Sequence, residues 1–86
     1  MKMRYDFRWI EWNIGKVEKH GCTPEEVERV VRNARRPYPK HNGKGKWLVE
    51  GRGQGDRVVG VVYLADPDDT IFVIHAMPLT TRRRRG

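Results

Sequence analysis

Hydrophobic and polar positions follow two different periods along this chain, which predicts both strands and helices. Residues 3–8 alternate in polarity, as expected for a strand with one buried face. Further along, apolar residues recur at helical spacing. Val27, Val30, Val31 and Ala34 form this stripe, and we expect them to face the core.

A first helix is predicted directly after the aromatic segment that follows the first strand. Asn13 is a favourable N-cap residue for a helix over residues 14–20. Gly21 suits the left-handed conformation in which many helices end.

The clearest helix boundary is the start of the second helix. Thr23 supplies a capping hydroxyl, Pro24 occupies the first helical position, and Glu26 follows the cap by three residues. Because Pro37 cannot continue a helix, we expect this one to end at residues 35–36.

The second half of the chain reads as strands. Residues 37–46 are rich in glycine, proline and lysine and are predicted to form a loop. Three strand-like runs follow, over 46–52, 57–64 and 70–77, separated by short turns. Short connections favour an antiparallel meander.

The fold class predicted from this order is α+β, β-α-α-β-β-β, with both helices packed on one face of an antiparallel sheet. The other face is then available to a ligand. In the first meander strand, Leu48, Glu50 and Arg52 share a side. In the last strand, His75 is expected to share a side with Ile71 and Val73. A short helical turn is predicted at 78–81.

Composition adds a strong positive charge. The 86 residues contain 18 Lys and Arg against 11 Asp and Glu, which gives a net charge of +7. We assign residues 1–81 to a single domain and residues 82–86 to a basic arginine tail. A basic balance favours phosphate-bearing partners such as nucleic acids.

Cysteine content and hydropathy bear on location. Cys22 is the only cysteine, so an internal disulfide is excluded, as is usual in a reducing compartment. No apolar run has the length of a signal peptide core or a membrane span. The expectation is therefore a cytoplasmic protein without a membrane partner.

Short motifs occur in a particular order along most of the chain. They are Lys19-His20-Gly21, Thr23-Pro24-Glu25-Glu26-Val27, Glu50-Gly51-Arg52 and Val73-Ile74-His75-Ala76. As an ordered set they resemble the BrnT family of bacterial toxins, which is related in fold to RelE-type ribonucleases. At two family positions this chain differs: a serine is replaced by His75 and an arginine by Met77.

The resemblance implies the toxin of a type II toxin–antitoxin system, a ribonuclease that cleaves RNA without metal or other cofactor and so inhibits translation. It also implies a cognate antitoxin protein that binds and neutralises the toxin.

Such cleavage needs a base for the ribose 2′-OH, cations for the phosphate and an acid for the leaving 5′-oxygen. We therefore expect Arg52 to hold the phosphate, His20 or Glu50 to act as base, and His75 to act as acid. Basic side chains outside this set would hold the RNA backbone. They are Lys16, Lys19, Lys44, Lys46, Arg82, Arg83, Arg84 and Arg85.

Several alternatives stay open. His75 can be a hydrogen-bonded structural histidine, and Glu50 with Arg52 can be a charge pair on a solvated face. The three tryptophans can all belong to the core, although Trp47, beside the lysine-rich loop, can stack on RNA. His20 and Cys22 lack the paired spacing of a zinc site, so no metal is expected.

Other function classes also compete. A non-catalytic nucleic-acid-binding module needs only the basic residues. A helix-turn-helix DNA binder would use residues 13–20 and 23–35 but leaves the sheet without a role. A protein–protein adaptor would use an exposed sheet edge or face.

Overall fold

Five strands form one mixed sheet in the computed structural model, which describes residues 6–79. The elements in chain order are β1 (Asp6–Phe7), α1 (Glu11–Glu18), α2 (Pro24–Arg32), β2 (Lys40–His41), β3 (Lys46–Arg52), β4 (Val58–Ala65) and β5 (Thr70–Pro78). The order across the sheet is β1-β5-β4-β3-β2. The α+β class predicted from the sequence is therefore confirmed.

The antiparallel meander is also confirmed, since β3 pairs with β4 and β4 pairs with β5 in antiparallel fashion. Strand β1 lies parallel to the start of β5. The prediction of loop throughout residues 37–46 was wrong at β2. Gly43 and Gly45 adopt positive φ angles there, and the turn they form brings β2 back against β3.

Helix α1 begins earlier than the sequence pattern predicted. Asn13 is not the N-cap but the third helical residue, and it is buried. Its side-chain oxygen accepts a hydrogen bond of 2.7 Å from the backbone N–H of Ile10, and its amide donates to the carbonyl of Arg8 at 3.0 Å. Asn13 thus still secures the start of the helix, which now includes Trp12.

Helix α2 begins where predicted. The Thr23 hydroxyl accepts a 3.1 Å hydrogen bond from the backbone N–H of Glu26, and Pro24 occupies the first turn. The helix ends at Arg32, earlier than the predicted residues 35–36. The carboxylate of Glu26 does not close a capping box among these contacts; it accepts hydrogen bonds from a different part of the chain.

Glu26 and Arg57 form a buried ion pair that joins α2 to the start of β4. Glu26 Oε1 lies 2.7 Å from an Arg57 guanidinium nitrogen, and the Glu26 side chain is fully buried. Its other oxygen accepts a 2.7 Å hydrogen bond from the N–H of Gln54. A Cβ at Gly53 would collide with this carboxylate, so glycine is required for the close approach.

The core lies between the helices and one face of the meander. Helix α2 packs against β3 and β4, and α1 packs against β5. As predicted, Val27, Val30 and Val31 are buried. They meet inward-facing residues of the sheet: Val49, Val59, Val61, Tyr63, Ile71, Val73 and Ala76.

We call the opposite side of the meander the open face. Leu48, Glu50 and Arg52 lie on it, opposite Val62, Gly60 and Val58 of β4. Helix α2 packs on the other side of β3 and β4, and α1 reaches the open face at β5, through the contact of Trp12 with Phe72. The open face is the surface that the sequence pattern left available.

A β-bulge changes the face on which His75 lies. Val73 pairs with Tyr63, but His75 pairs with Val62, so β5 has one extra residue at this point. The prediction that His75 shares a side with Ile71 and Val73 was therefore wrong. Directly opposed residues share a face, which places His75 with Val62 and Leu48 on the open face.

The end of the described chain is extended. Strand β5 continues through Pro78, and the N–H of Leu79 donates to the carbonyl of Val58 at 2.8 Å. The helical turn predicted at 78–81 is thus not formed at its first two residues. The rest of that turn, and the arginine tail at 82–86, lie outside the described residues.

Candidate active site on the open face

Two histidines from distant parts of the chain meet beside the open face. His20 lies two residues after the end of α1, and His75 lies just after the bulge of β5. Their ring centroids are 5.4 Å apart with an interplanar angle of 68°. We call these two residues the histidine pair. The bulge is essential to it, because an unbroken alternation would turn His75 toward the core.

The surroundings favour the neutral form of one of these rings. Partial burial lowers the pKa of His75, and the neighbouring His20 and Lys16 lower this pKa further. A histidine that is neutral at physiological pH can accept a proton. The structure therefore supplies a candidate base beside a second imidazole and an ammonium group.

Aromatic rings and cations continue the same surface along α1. Trp12 stacks on Phe72 with ring centroids 6.0 Å apart and 12° between the planes. Arg8 lies 4.3 Å from the Phe72 centroid, and the Lys16 ammonium lies 5.3 Å from the Trp12 centroid. Phe72 belongs to the open face because it pairs with Leu64.

Glu50 and Arg52 lie on the open face but in a second cluster. The Tyr38 hydroxyl donates a 2.9 Å hydrogen bond to Glu50, and this bond raises the pKa of Tyr38. Arg52 is highly exposed and lies 3.5 Å from Asp56. Beside them is a cleft of about 680 Å³, to which Arg35 and Arg36 add two further positive charges.

The two clusters do not form one pocket. His75 shares a row with Leu48, and Glu50 lies two residues further along β3 in the row of Met77. Two strand spacings separate β5 from β3, about 10 Å. The structure thus brings together His20, His75 and Lys16, and keeps Glu50 and Arg52 apart from them on the same face.

The remaining predicted RNA-binding residues are spread over the surface. Lys19 is exposed at the end of α1, and Lys44 is exposed in the turn before β3. Lys46 lies on the open face, in the row of Leu64 and Phe72. Arg82, Arg83, Arg84 and Arg85 lie outside the described residues.

Three contributors to this surface were not found from the sequence. Arg35 and Arg36 had been assigned to the end of α2, but the helix ends earlier and both lie in the loop beside β3. Trp12 was considered a core residue, yet it is 52% exposed. Trp12, Lys16 and His20 are spaced four residues apart in the sequence. This spacing could have indicated that Trp12 belongs to the same surface, but only if α1 was known to include position 12.

Residues 6–79 contain no cluster of three or more His, Cys, Asp or Glu side chains that could hold a metal ion. Over the same residues, no helix has the length and apolar character needed to cross a membrane.

Comparison with known proteins adds no relative. No protein-family model matches the chain, and no match was found among curated proteins or among solved structures.

Proposed function

We propose that this protein is a ribonuclease toxin of a type II toxin–antitoxin system, a cytoplasmic, BrnT-like and RelE-like enzyme that cleaves RNA without a metal. The observation that carries the proposal is the histidine pair beside Lys16. Two imidazoles and one cation can supply the base, the acid and the positive charge that metal-free transfer at a ribose phosphate requires. The net charge of +7 suits an RNA substrate.

In the proposed reaction, neutral His75 takes the proton from the ribose 2′-OH. The 2′-oxygen attacks the adjacent phosphorus, and the bond from phosphorus to the 5′-oxygen breaks. His20, acting as the general acid, gives a proton to that leaving oxygen. The products are a 2′,3′-cyclic phosphate and a 5′-hydroxyl, while Lys16 steadies the negative charge on the phosphate. The lowered pKa of His75 favours this assignment over the acid role expected from the sequence.

The second cluster would hold RNA rather than take part in proton transfer. Arg52, with Arg35 and Arg36, lines the cleft about 10 Å or more from the histidine pair. Guanidinium groups bind phosphate through paired hydrogen bonds. Glu50 accepts a hydrogen bond from Tyr38, and we assign it a structural role in the wall of the cleft instead of the role of base.

We predict that Arg52→Ala weakens RNA binding without stopping the chemistry. One exposed phosphate contact is lost, so KM should rise about tenfold while kcat changes little. Steady-state kinetics on a short RNA measure both constants. A fall in kcat as large as that caused by loss of a histidine would show that Arg52 belongs to the reacting centre.

The open face also suits a neutralising antitoxin. Val58 and Met77 are exposed apolar residues of this face, and Arg52, directly opposite Val58, adds a positive charge. A partner that covers this surface would block both clusters at once. This arrangement supports direct inhibition by a cognate antitoxin protein.

The reaction itself is tested with an oligonucleotide that carries one ribose among deoxyribose residues, in the presence of EDTA. We expect cleavage only on the 3′ side of that ribose, with a 2′,3′-cyclic phosphate end. A matched oligonucleotide with a 2′-O-methyl group at that position should stay intact. Cleavage of the blocked oligonucleotide, or loss of activity in EDTA, would contradict the proposed mechanism.

A non-catalytic nucleic-acid-binding module is the second candidate, and the spread of cations over the open face favours it. Such a module would bind RNA with an affinity that falls steeply with salt, and would leave the ribose oligonucleotide uncut.

A further inference from the structure

Trp12 is unusually exposed for a tryptophan. It lies in the first turn of α1 with 52% of its surface exposed, whereas the core of the described chain is built largely of valines. Tryptophan is usually well buried in folded proteins. An exposed indole of this kind is a candidate contact for a ligand.

The indole is held in a defined orientation. One ring face rests on Phe72, nearly parallel at 12°, and Arg8 lies on the Phe72 ring as well. Phe72 is itself fixed by its place in β5. A supported ring loses little conformational entropy when a planar ligand stacks on it.

Cations surround this aromatic stack. Lys16 lies 5.3 Å from the Trp12 centroid, and Arg8 is paired with Asp66 at 3.3 Å beside Phe72. An aromatic platform among cations matches a nucleic acid strand, which offers a planar base beside a negative phosphate. A purely apolar partner would gain nothing from these charges.

The platform is aligned with the histidine pair. Trp12 and Lys16 lie one turn apart on one stripe of α1, and His20, four residues after Lys16, follows the end of the helix. At 1.5 Å per residue, Trp12 lies about 6 Å from Lys16 along the helix axis. A strand that runs along this stripe would present a neighbouring base to Trp12 while its phosphate meets Lys16 and the histidines.

We infer that Trp12 is a stacking platform for an unpaired base flanking the cleaved linkage, and that the substrate is accordingly single-stranded RNA. This inference rests on the proposed ribonuclease function, because it concerns the same surface. Base pairs in a duplex keep their faces stacked on one another, so a duplex cannot offer its bases to the indole.

The test measures binding of a fully 2′-O-methylated single-stranded oligonucleotide, which cannot be cleaved, together with its duplex. We expect the parent protein to bind the single strand more tightly and its tryptophan fluorescence to be quenched. Trp12→Ala should weaken binding by about 5-fold to about 100-fold, the range for loss of one stacked base. Trp12→Phe keeps a ring and should restore most of the affinity.

An abasic substitution identifies the base that stacks. Scanning one abasic position along the oligonucleotide should reveal a site that weakens binding to the parent but not to Trp12→Ala. Ile10→Ala is the matched control, because Ile10 is a nearby exposed apolar residue at 44% exposure, and its loss should leave affinity within about 2-fold. Thermal unfolding of each variant reports whether the fold is retained.

Equal binding by the parent and a folded Trp12→Ala, or equal affinity for single strand and duplex, would overturn the inference. The inference would also be wrong if Trp12→Ala weakened the binding of a protein partner but not the binding of RNA. If Trp12→Ala still cleaved the single-ribose oligonucleotide and bound RNA as tightly as the parent, the stacking role of Trp12 would be wrong, but the ribonuclease proposal would stand. If loss of Trp12 weakened RNA binding but the parent cleaved no RNA, the ribonuclease proposal would be wrong instead.

Discussion

Replacing Arg57 with alanine should lower the free energy of unfolding by about 3 to about 5 kcal/mol, the usual cost of leaving a buried charge without its partner. The Glu26 side chain is fully buried, and its carboxylate accepts hydrogen bonds from the Arg57 guanidinium through both oxygens. The truncated variant keeps the buried carboxylate and loses its counter-ion. Urea denaturation of parent and variant measures the difference.

Arg52→Ala is the matched control for that measurement. Arg52 and Asp56 also form an arginine–carboxylate pair, but their side chains are 76% and 86% exposed. Exposed pairs contribute little, so this variant should change stability by less than about 1 kcal/mol. If both variants lost the same stability, the Glu26–Arg57 pair would not have the importance given to it here.

Acid should remove the contribution of the same pair. The hydrogen bond from Arg57 is the main cause that lowers the pKa of Glu26, and burial of the carboxyl opposes it. A lowered pKa stabilises the fold above the unfolded value of about 4.3, and this stability is lost as the pH falls toward the folded value. The difference in free energy of unfolding between the parent and Arg57→Ala should therefore become smaller in acid.

Replacing His75 with alanine should reduce kcat for RNA cleavage by about 100-fold to about 10,000-fold, the usual contribution of a general base or acid. His75 is a member of the histidine pair, and its lowered pKa favours the neutral form, which can accept a proton. Binding of an uncleavable RNA should change much less. Single-turnover kinetics and binding assays separate the two effects.

His41→Ala is the control for this variant. His41 is exposed on β2 and packs on Trp47 at 4.9 Å, away from the pair formed by His20 and His75. Its loss should leave kcat within about 3-fold. If His41→Ala and His75→Ala reduced kcat equally, the pair would have no special role in the reaction.

Much of the fold could be predicted because its strongest features are local. The capping hydroxyl of Thr23, the valine stripe of α2 and the three strand-like runs depend on residues close in sequence. The start of α1 was missed because Asn13 acts from inside the helix, where its side chain accepts a hydrogen bond from the backbone N–H of Ile10. Its position in the sequence does not distinguish this role from that of an N-cap.

The site depends on two features that alternation cannot reveal. A bulge in β5 turns His75 to the open face, and strand order keeps Glu50 and Arg52 two strands away. Glu26 was correctly placed at the start of α2, but its bond to Arg57 joins positions 31 residues apart. Contacts of this kind follow from tertiary packing, which no local pattern encodes.

The central claim is that His20 and His75 perform the proton transfers of RNA cleavage. It is tested most directly by the single-turnover rate of the parent and of His75→Ala, prepared in parallel, on the single-ribose oligonucleotide from about pH 5 to about pH 8. We predict that the parent's rate rises with pH as His75 loses its proton, while the variant shows no such rise. Equal rates for the two proteins at every pH would contradict it.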